Sequence, residues 1–182
     1  MMDNPTFIEV YDNALDRLTC EKICTFMDTK KNDALFEKDK ARDFYSLFRP
    51  SIYGSFKPYN TILLNTLKKY LNVYGKKYHM CPKNMNHFED QWKLQKSPAG
   101  GGFVKWHCEQ GEESYSKGRY LVWMIYLNDT IGGETEFQYQ NYSCRPIPGR
   151  LVIWPGAWTH PHRQKDNLQS VKYIATGWWR YE

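Results

Sequence analysis

The chain has 182 residues, 41% of them hydrophobic and 25% charged, with a formal net charge of +5. That composition can bury a core and excludes a disordered chain, which needs low hydrophobicity with high net charge. No run of about 18 apolar residues exists and the acid- and proline-containing start lacks the apolar stretch of a signal peptide, so a cytoplasmic protein without a membrane span is expected.

In chain order, Phe7–Tyr11 reads as a short strand and Asp12-Asn13 as its turn. Leu15, Leu18, Ile23, Phe26 and Met27 then recur at helical steps, with Thr19 as an N-cap inside the stripe. Residues between about 28 and 60 carry no usable pattern. Asn60 precedes Leu63, Leu64, Leu67, Leu71 and Tyr74, a second helix ended by Gly75.

From about Asp90 the period becomes two. Trp92/Leu94, Phe103/Lys105/His107, Tyr120–Asn128, Arg150–Trp154 and Val171–Trp179 read as strands between glycine and proline turns. Several short strands suggest a β-sandwich or barrel with helices packed outside. One domain is expected over 1–182, with helical support over about 1–80 and a β core over about 90–182. Five cysteines without a paired CxxC grid indicate neither a zinc ribbon nor a disulfide framework. The lysines form no basic block, so no nucleic-acid partner is expected.

The chemistry lies in the β half. In the strand containing Trp106-His107-Cys108-Glu109, residues i and i+2 share a face, so the His107 imidazole and the Glu109 carboxylate can converge. His160 and His162, in Trp158-Thr159-His160-Pro161-His162, offer a third ligand. Two imidazoles and a carboxylate leave three positions open on Fe(II), room for an oxidisable co-substrate and dioxygen together. Alone, a His-x-Glu is also what an alternating polar strand edge produces.

The ordered motifs WHCE, RYLVWMIYLND, GGETEF, PIPGRLVIWP, HPHR and VKYIATGWW resemble the 2-oxoglutarate and Fe(II)-dependent oxygenases. Within them the chain looks most like the prolyl 4-hydroxylase type of catalytic domain, over roughly residues 90–182. The resemblance implies a double-stranded β-helix (jelly roll), mainly β with N-terminal helices packed on the major sheet. It implies Fe(II), 2-oxoglutarate and O2 as cofactors, with ascorbate as a candidate reductant.

By position, the resemblance implies His107, Glu109 and His162 as metal ligands. His162 is preferred to His160 because the basic residue for the 2-oxoglutarate C5 carboxylate then falls ten residues later, at Lys172. A buried lysine opening an apolar strand needs an anionic partner in any case, and a protein carboxylate is the alternative to the co-substrate. Tyr126 matches a tyrosine that helps hold 2-oxoglutarate, with an ordinary core tyrosine as the alternative. Arg119 and Trp178 match positions on the peptide-substrate side, with a strand-edge charge and a core indole as alternatives. The turn Gly132-Gly133-Glu134-Thr135 is assigned a structural role.

Glu109 departs from the pattern, because most relatives carry Asp there. The extra methylene displaces the carboxylate by about 1.5 Å and adds a rotatable bond. A retained carboxylate favours hydroxylation over halogenation. Three functions follow as expectations: a prolyl 4-hydroxylase-like oxygenase acting on a peptide or protein; the same chemistry on a free amino acid, small metabolite or nucleobase; or a jelly-roll binding module without turnover. The nucleobase version is weakened by Lys172 standing where an arginine-rich pattern would.

Overall fold

The computed structural model describes residues 5–30, 32–39, 42–82, 86–87 and 92–181, with side chains left aside at 36–39, 42–43 and 86–87. The strands are β1 (Glu9–Tyr11), β2 (Leu35–Asp39), β3 (Arg42–Phe48), β4 (Asn86–His87), β5 (Lys93–Ser97), β6 (Arg119–Tyr126), β7 (Thr135–Phe137), β8 (Tyr142–Cys144), β9 (Leu151–Pro155), β10 (His162–Gln164) and β11 (Lys172–Arg180). The helices are α1 (Arg17–Thr29) and α2 (Lys57–Lys77). No helix among the described residues is long and apolar enough to cross a membrane.

All described strand pairs are antiparallel. The larger sheet runs β1-β9-β6-β11-β5-β3-β2, with β4 also on β11, and the smaller runs β10-β7-β8. Alternation in the central strands creates two separate cores. On β6, Leu121, Trp123 and Ile125 join Leu151 and Ile153 of β9 in a cluster completed by Ile23, Phe26 and Met27 of α1 and Leu63, Leu67 and Tyr74 of α2. The intervening residues Val122, Tyr126, Val152, Trp154, Ile174 and Trp178 point the other way, to Phe137 and Cys144 of the smaller sheet. The two-residue period of a strand accounts for both faces. The site lies on this second face.

The helix boundaries differ from expectation. Asp16, not Thr19, caps α1: its carboxylate accepts from the Thr19 backbone N–H at 2.9 Å and the Thr19 hydroxyl at 2.6 Å. Thr19 is therefore the residue being capped, at the third helical position. Asp16→Ala should lower unfolding free energy by about 1 kcal/mol, read as a reduced urea midpoint with an unchanged m-value. α2 starts three residues before Asn60, because Pro58 lies in the first turn, where its missing N–H costs no bond. Gly75 lies inside the last turn, and the helix continues through Lys76 and Lys77, cations favoured at a helix C-terminus.

The patternless segment 28–60 contains the β2–β3 hairpin, attached to the sheet where Tyr45 to Phe48 pair with Lys96 to Lys93 of β5. The expected strand Phe103/Lys105/His107 does not form. Phe103 accepts from Gln164 and His107 exchanges two bonds with His162, so four steps on one side oppose two on the other and the ladder loses register. The Gly132-Gly133 turn has φ of 76° and 72°, and a Cβ on Gly132 would collide with the Asn167 carbonyl. The expected structural role of this turn has a steric basis.

Candidate metal and co-substrate site

A cavity of about 700 Å³ opens on the second face of the larger sheet. Lys172, Ile174, Thr176 and Trp178, every second residue of β11, line it, as do Met124 of β6, Thr135 of β7 and His162 and Gln164 of β10. His107 and Glu109 enter from the loop before β6.

His107 and Glu109 meet although they are not on a regular strand. His107 N–H donates to the His162 carbonyl at 3.1 Å and receives the reciprocal bond at 2.9 Å, while Glu109 N–H donates to the Gly156 carbonyl at 3.1 Å. These bonds tie His107 to β10 and Glu109 to Gly156, just past the end of β9. Glu109 Oε1 lies 3.7 Å from His107 Nε2 and 3.5 Å from His162 Nε2. His107, Glu109 and His162 are the one group among the described residues whose donor atoms all lie within 4.8 Å of one another.

Each imidazole is turned by its other nitrogen. His107 Nδ1 lies 2.9 Å from the Lys105 carbonyl and His162 Nδ1 lies 3.0 Å from the His160 carbonyl. A carbonyl only accepts, so Nδ1 carries a proton in both rings, and Nε2 is the nitrogen of each that faces Glu109. Burial alone would raise the Glu109 carboxyl, but the imidazoles beside it outweigh burial and hold it well below the ordinary carboxylate range. Two imidazole nitrogens and an ionised oxygen converging on one point fit a divalent first-row cation, as the family resemblance requires.

His160 is separated from this point. Its Nδ1 lies 2.9 Å from the Thr159 hydroxyl and its Nε2 2.9 Å from the Thr6 carbonyl, so both nitrogens are already engaged.

Lys172 is 4% exposed, and its ammonium donates to the Gly133 carbonyl at 2.9 Å. Among the described residues no carboxylate comes within ion-pair distance of it. Burial pushes its pKa down to about 7, against a partial opposing attraction from Glu134. A buried ammonium with a carbonyl for a partner, on the wall of a cavity, suits the far carboxylate of a dicarboxylic acid.

Tyr126 does not line the cavity. Its buried hydroxyl donates to Thr135 Oγ1 at 2.6 Å and lies 3.4 Å from the Cys144 carbonyl, and Thr135 stands on the cavity wall. Arg119 and Trp178 both line the cavity, and both donate to Glu109 Oε2, at 3.1 and 2.9 Å. Arg163 donates to Glu136 at 3.0 Å and Arg150 to Asp12 at 2.6 Å, so each already has a carboxylate. Sequence reasoning missed Thr135, Thr176 and Gln164. The signal for Thr176 was present: it falls between Lys172 and Trp178 on the two-residue period.

Residues 92–180 match the family model described as the 2OG-Fe(II) oxygenase superfamily. The match spans just under half of the 182 residues and makes the β half of the chain similar to that superfamily. Fe(II), 2-oxoglutarate and O2 are the cofactors of this superfamily, and His107, Glu109 and His162 are the residues with the donor types to hold the metal. Among solved structures, the viral collagen prolyl hydroxylase of Paramecium bursaria Chlorella virus-1, in its 2OG complex, is 16% identical with a TM-score of 0.74, covering 100% of both chains. A prolyl-4-hydroxylase of Pseudomonas putida is 12% identical, with a TM-score of 0.73 over 97% of this chain and 93% of its own. A Trichoplax adhaerens prolyl hydroxylase, in complex with a hypoxia inducible factor oxygen degradation domain peptide fragment, is 14% identical, with a TM-score of 0.73 over 97% of this chain and 84% of its own. At these identities the likeness shows a shared fold, mainly antiparallel β with helices. No curated protein matches the chain in sequence.

Proposed function

We propose that this chain is a 2-oxoglutarate- and Fe(II)-dependent dioxygenase that hydroxylates a C–H bond, with a peptidyl proline as substrate. The two sheets are read as the walls of a double-stranded β-helix (jelly roll) with the N-terminal helices packed on the major sheet, in one domain of helical support (about 1–80) and β core (about 90–182). The observation that carries the reading is the pairing, in one cavity, of the His107–Glu109–His162 cluster with the buried ammonium of Lys172. A metal chelator with a distant carboxylate is the ligand this pairing suits.

In this reading Fe(II) and 2-oxoglutarate, when bound, supply the oxidising chemistry that places one atom of O2 in the substrate and the other in succinate as CO2 leaves. The protein's part is position and exclusion of water. His107 and His162 present Nε2 because the Lys105 and His160 carbonyls hold their Nδ1 protons. Lys172 neutralises the far carboxylate of 2-oxoglutarate. Thr135 faces the co-substrate, and Tyr126 fixes the rotamer of Thr135 from the core, so Tyr126 acts through its neighbour. Arg119 and Trp178 form the wall beside the ligands.

A peptide substrate is supported by Tyr115, which lines the cavity and is 64% exposed, and by the structural neighbours being prolyl hydroxylases, one in complex with a peptide. The test is mass spectrometry of a panel of proline-containing peptides incubated with protein, Fe(II), 2-oxoglutarate and air. A peptide heavier by one oxygen atom, located on proline and absent without 2-oxoglutarate, is expected. Oxygen gain confined to free amino acids, small metabolites or nucleobases would overturn the prolyl assignment.

A further inference from the structure

We infer that Arg119 and Trp178 form a clamp that orients Glu109, selecting which of its carboxylate oxygens faces the metal and keeping the other occupied. The inference rests on reading His107, Glu109 and His162 as the metal ligands. The two oxygens have separate environments. Oε1 faces the two imidazoles, at 3.7 and 3.5 Å. Oε2 accepts from Arg119 Nη1 at 3.1 Å and Trp178 Nε1 at 2.9 Å. The two donors support each other, because the guanidinium carbon of Arg119 stacks 3.6 Å from the centre of the Trp178 ring. Arg119 Nη1 also reaches the Glu109 carbonyl at 3.3 Å, so one guanidinium nitrogen holds backbone and side chain together.

Glu109 itself sits on an irregular loop, whereas Arg119 opens β6 and Trp178 lies near the end of β11, neighbouring strands paired over most of their length. The loop-borne ligand is thereby referenced to the most regular part of the sheet. This bears on the chemistry in two ways. A glutamate has one more rotatable bond than an aspartate, and two donors on one oxygen remove that freedom before the metal arrives. A free glutamate could also bind through both oxygens and take up one of the three positions left open; Oε2, holding two hydrogen bonds, is not available for that. Aspartate is shorter by about 1.5 Å and cannot meet the clamp and the imidazoles at once. Arg119 and Trp178 are thus positioning residues for the metal ligand, with their remaining surfaces on the cavity.

The experiment is a double-substitution cycle in Mn(II) affinity, measured by calorimetry on the full chain without co-substrate. Trp178→Phe removes the indole N–H and no charge, and should weaken Mn(II) binding by about tenfold. In a Glu109→Asp background the same substitution should change binding less than twofold, because the clamp has nothing left to hold. An equal loss in both backgrounds would mean a general packing role and overturn the clamp, as would wild-type Mn(II) affinity in Trp178→Phe. If the wild-type protein binds no Mn(II), or His107→Ala binds it as tightly as wild type, the ligand assignment fails and the clamp with it.

Discussion

His162→Ala is expected to abolish turnover and weaken divalent-metal binding by more than about 100-fold, beyond the range for loss of a supporting residue, while His160→Ala retains both. The two residues are separated by Pro161 alone and both are buried, so proximity does not distinguish them. Their hydrogen bonds do. His162 spends Nδ1 on the His160 carbonyl and leaves Nε2 facing Glu109 Oε1 at 3.5 Å. His160 spends both nitrogens, on Thr159 and on the Thr6 carbonyl, and so ties the N-terminal segment to the loop before β10. Its removal should cost about 1–3 kcal/mol of stability and little metal affinity. Calorimetric metal titration and urea unfolding of the two variants check the pair. Metal loss in His160→Ala with retention in His162→Ala would reverse the assignment.

Lys172→Met should raise the KM for 2-oxoglutarate by about ten- to a hundredfold with little change in metal affinity, since a buried charge-assisted contact is worth about 1.5–3 kcal/mol. Methionine keeps the buried stem and removes the charge. The same ammonium gives co-substrate binding a pH signature. Burial holds Lys172 at about 7 against an ordinary 10.5, so above about pH 7 the empty site holds it neutral, and the charge of the arriving carboxylate draws a proton onto it from the buffer. Calorimetry in buffers of different ionisation enthalpy should show uptake of close to one proton per 2-oxoglutarate near pH 8.5, lost in Lys172→Met. The sign for stability follows from the same values. Between about pH 7 and 10.5 the unfolded chain binds the proton and the folded chain does not, so Lys172 makes stability rise with pH across that window. Lys172→Met should flatten that rise. An unchanged KM would assign the far carboxylate to another group on the cavity wall.

The β half was legible because its strands are buried on both faces in strict alternation. Leu121, Trp123 and Ile125 meet the helices while Val122 and Tyr126 meet the smaller sheet, and a period of two survives wherever both neighbours are apolar. The positions of His107, Glu109 and Lys172 followed from motif order. The N-terminal half was less legible. The β2–β3 hairpin takes its strand character from pairing with β5, a contact about fifty residues away that no local pattern reports. Asp16 and Thr19 are both good capping types, and the structure selects Asp16 because its carboxylate reaches the Thr19 N–H and hydroxyl together. The convergence of His107 and Glu109 was expected from a strand, whereas an irregular loop produces it through bonds to His162 and Gly156. The grip of Arg119 and Trp178 on Glu109 was invisible in sequence, since it depends on where β6 begins and β11 ends relative to that loop.

The most direct test of the account is the yield of succinate from 2-oxoglutarate under air, with Fe(II) and a proline-containing peptide panel, for wild type beside His162→Ala and Lys172→Met. Wild type should form succinate in proportion to hydroxylated peptide, His162→Ala none, and Lys172→Met succinate only as 2-oxoglutarate is raised well above the wild-type KM. No succinate above a protein-free control with any peptide, or equal yields from wild type and His162→Ala, would contradict it.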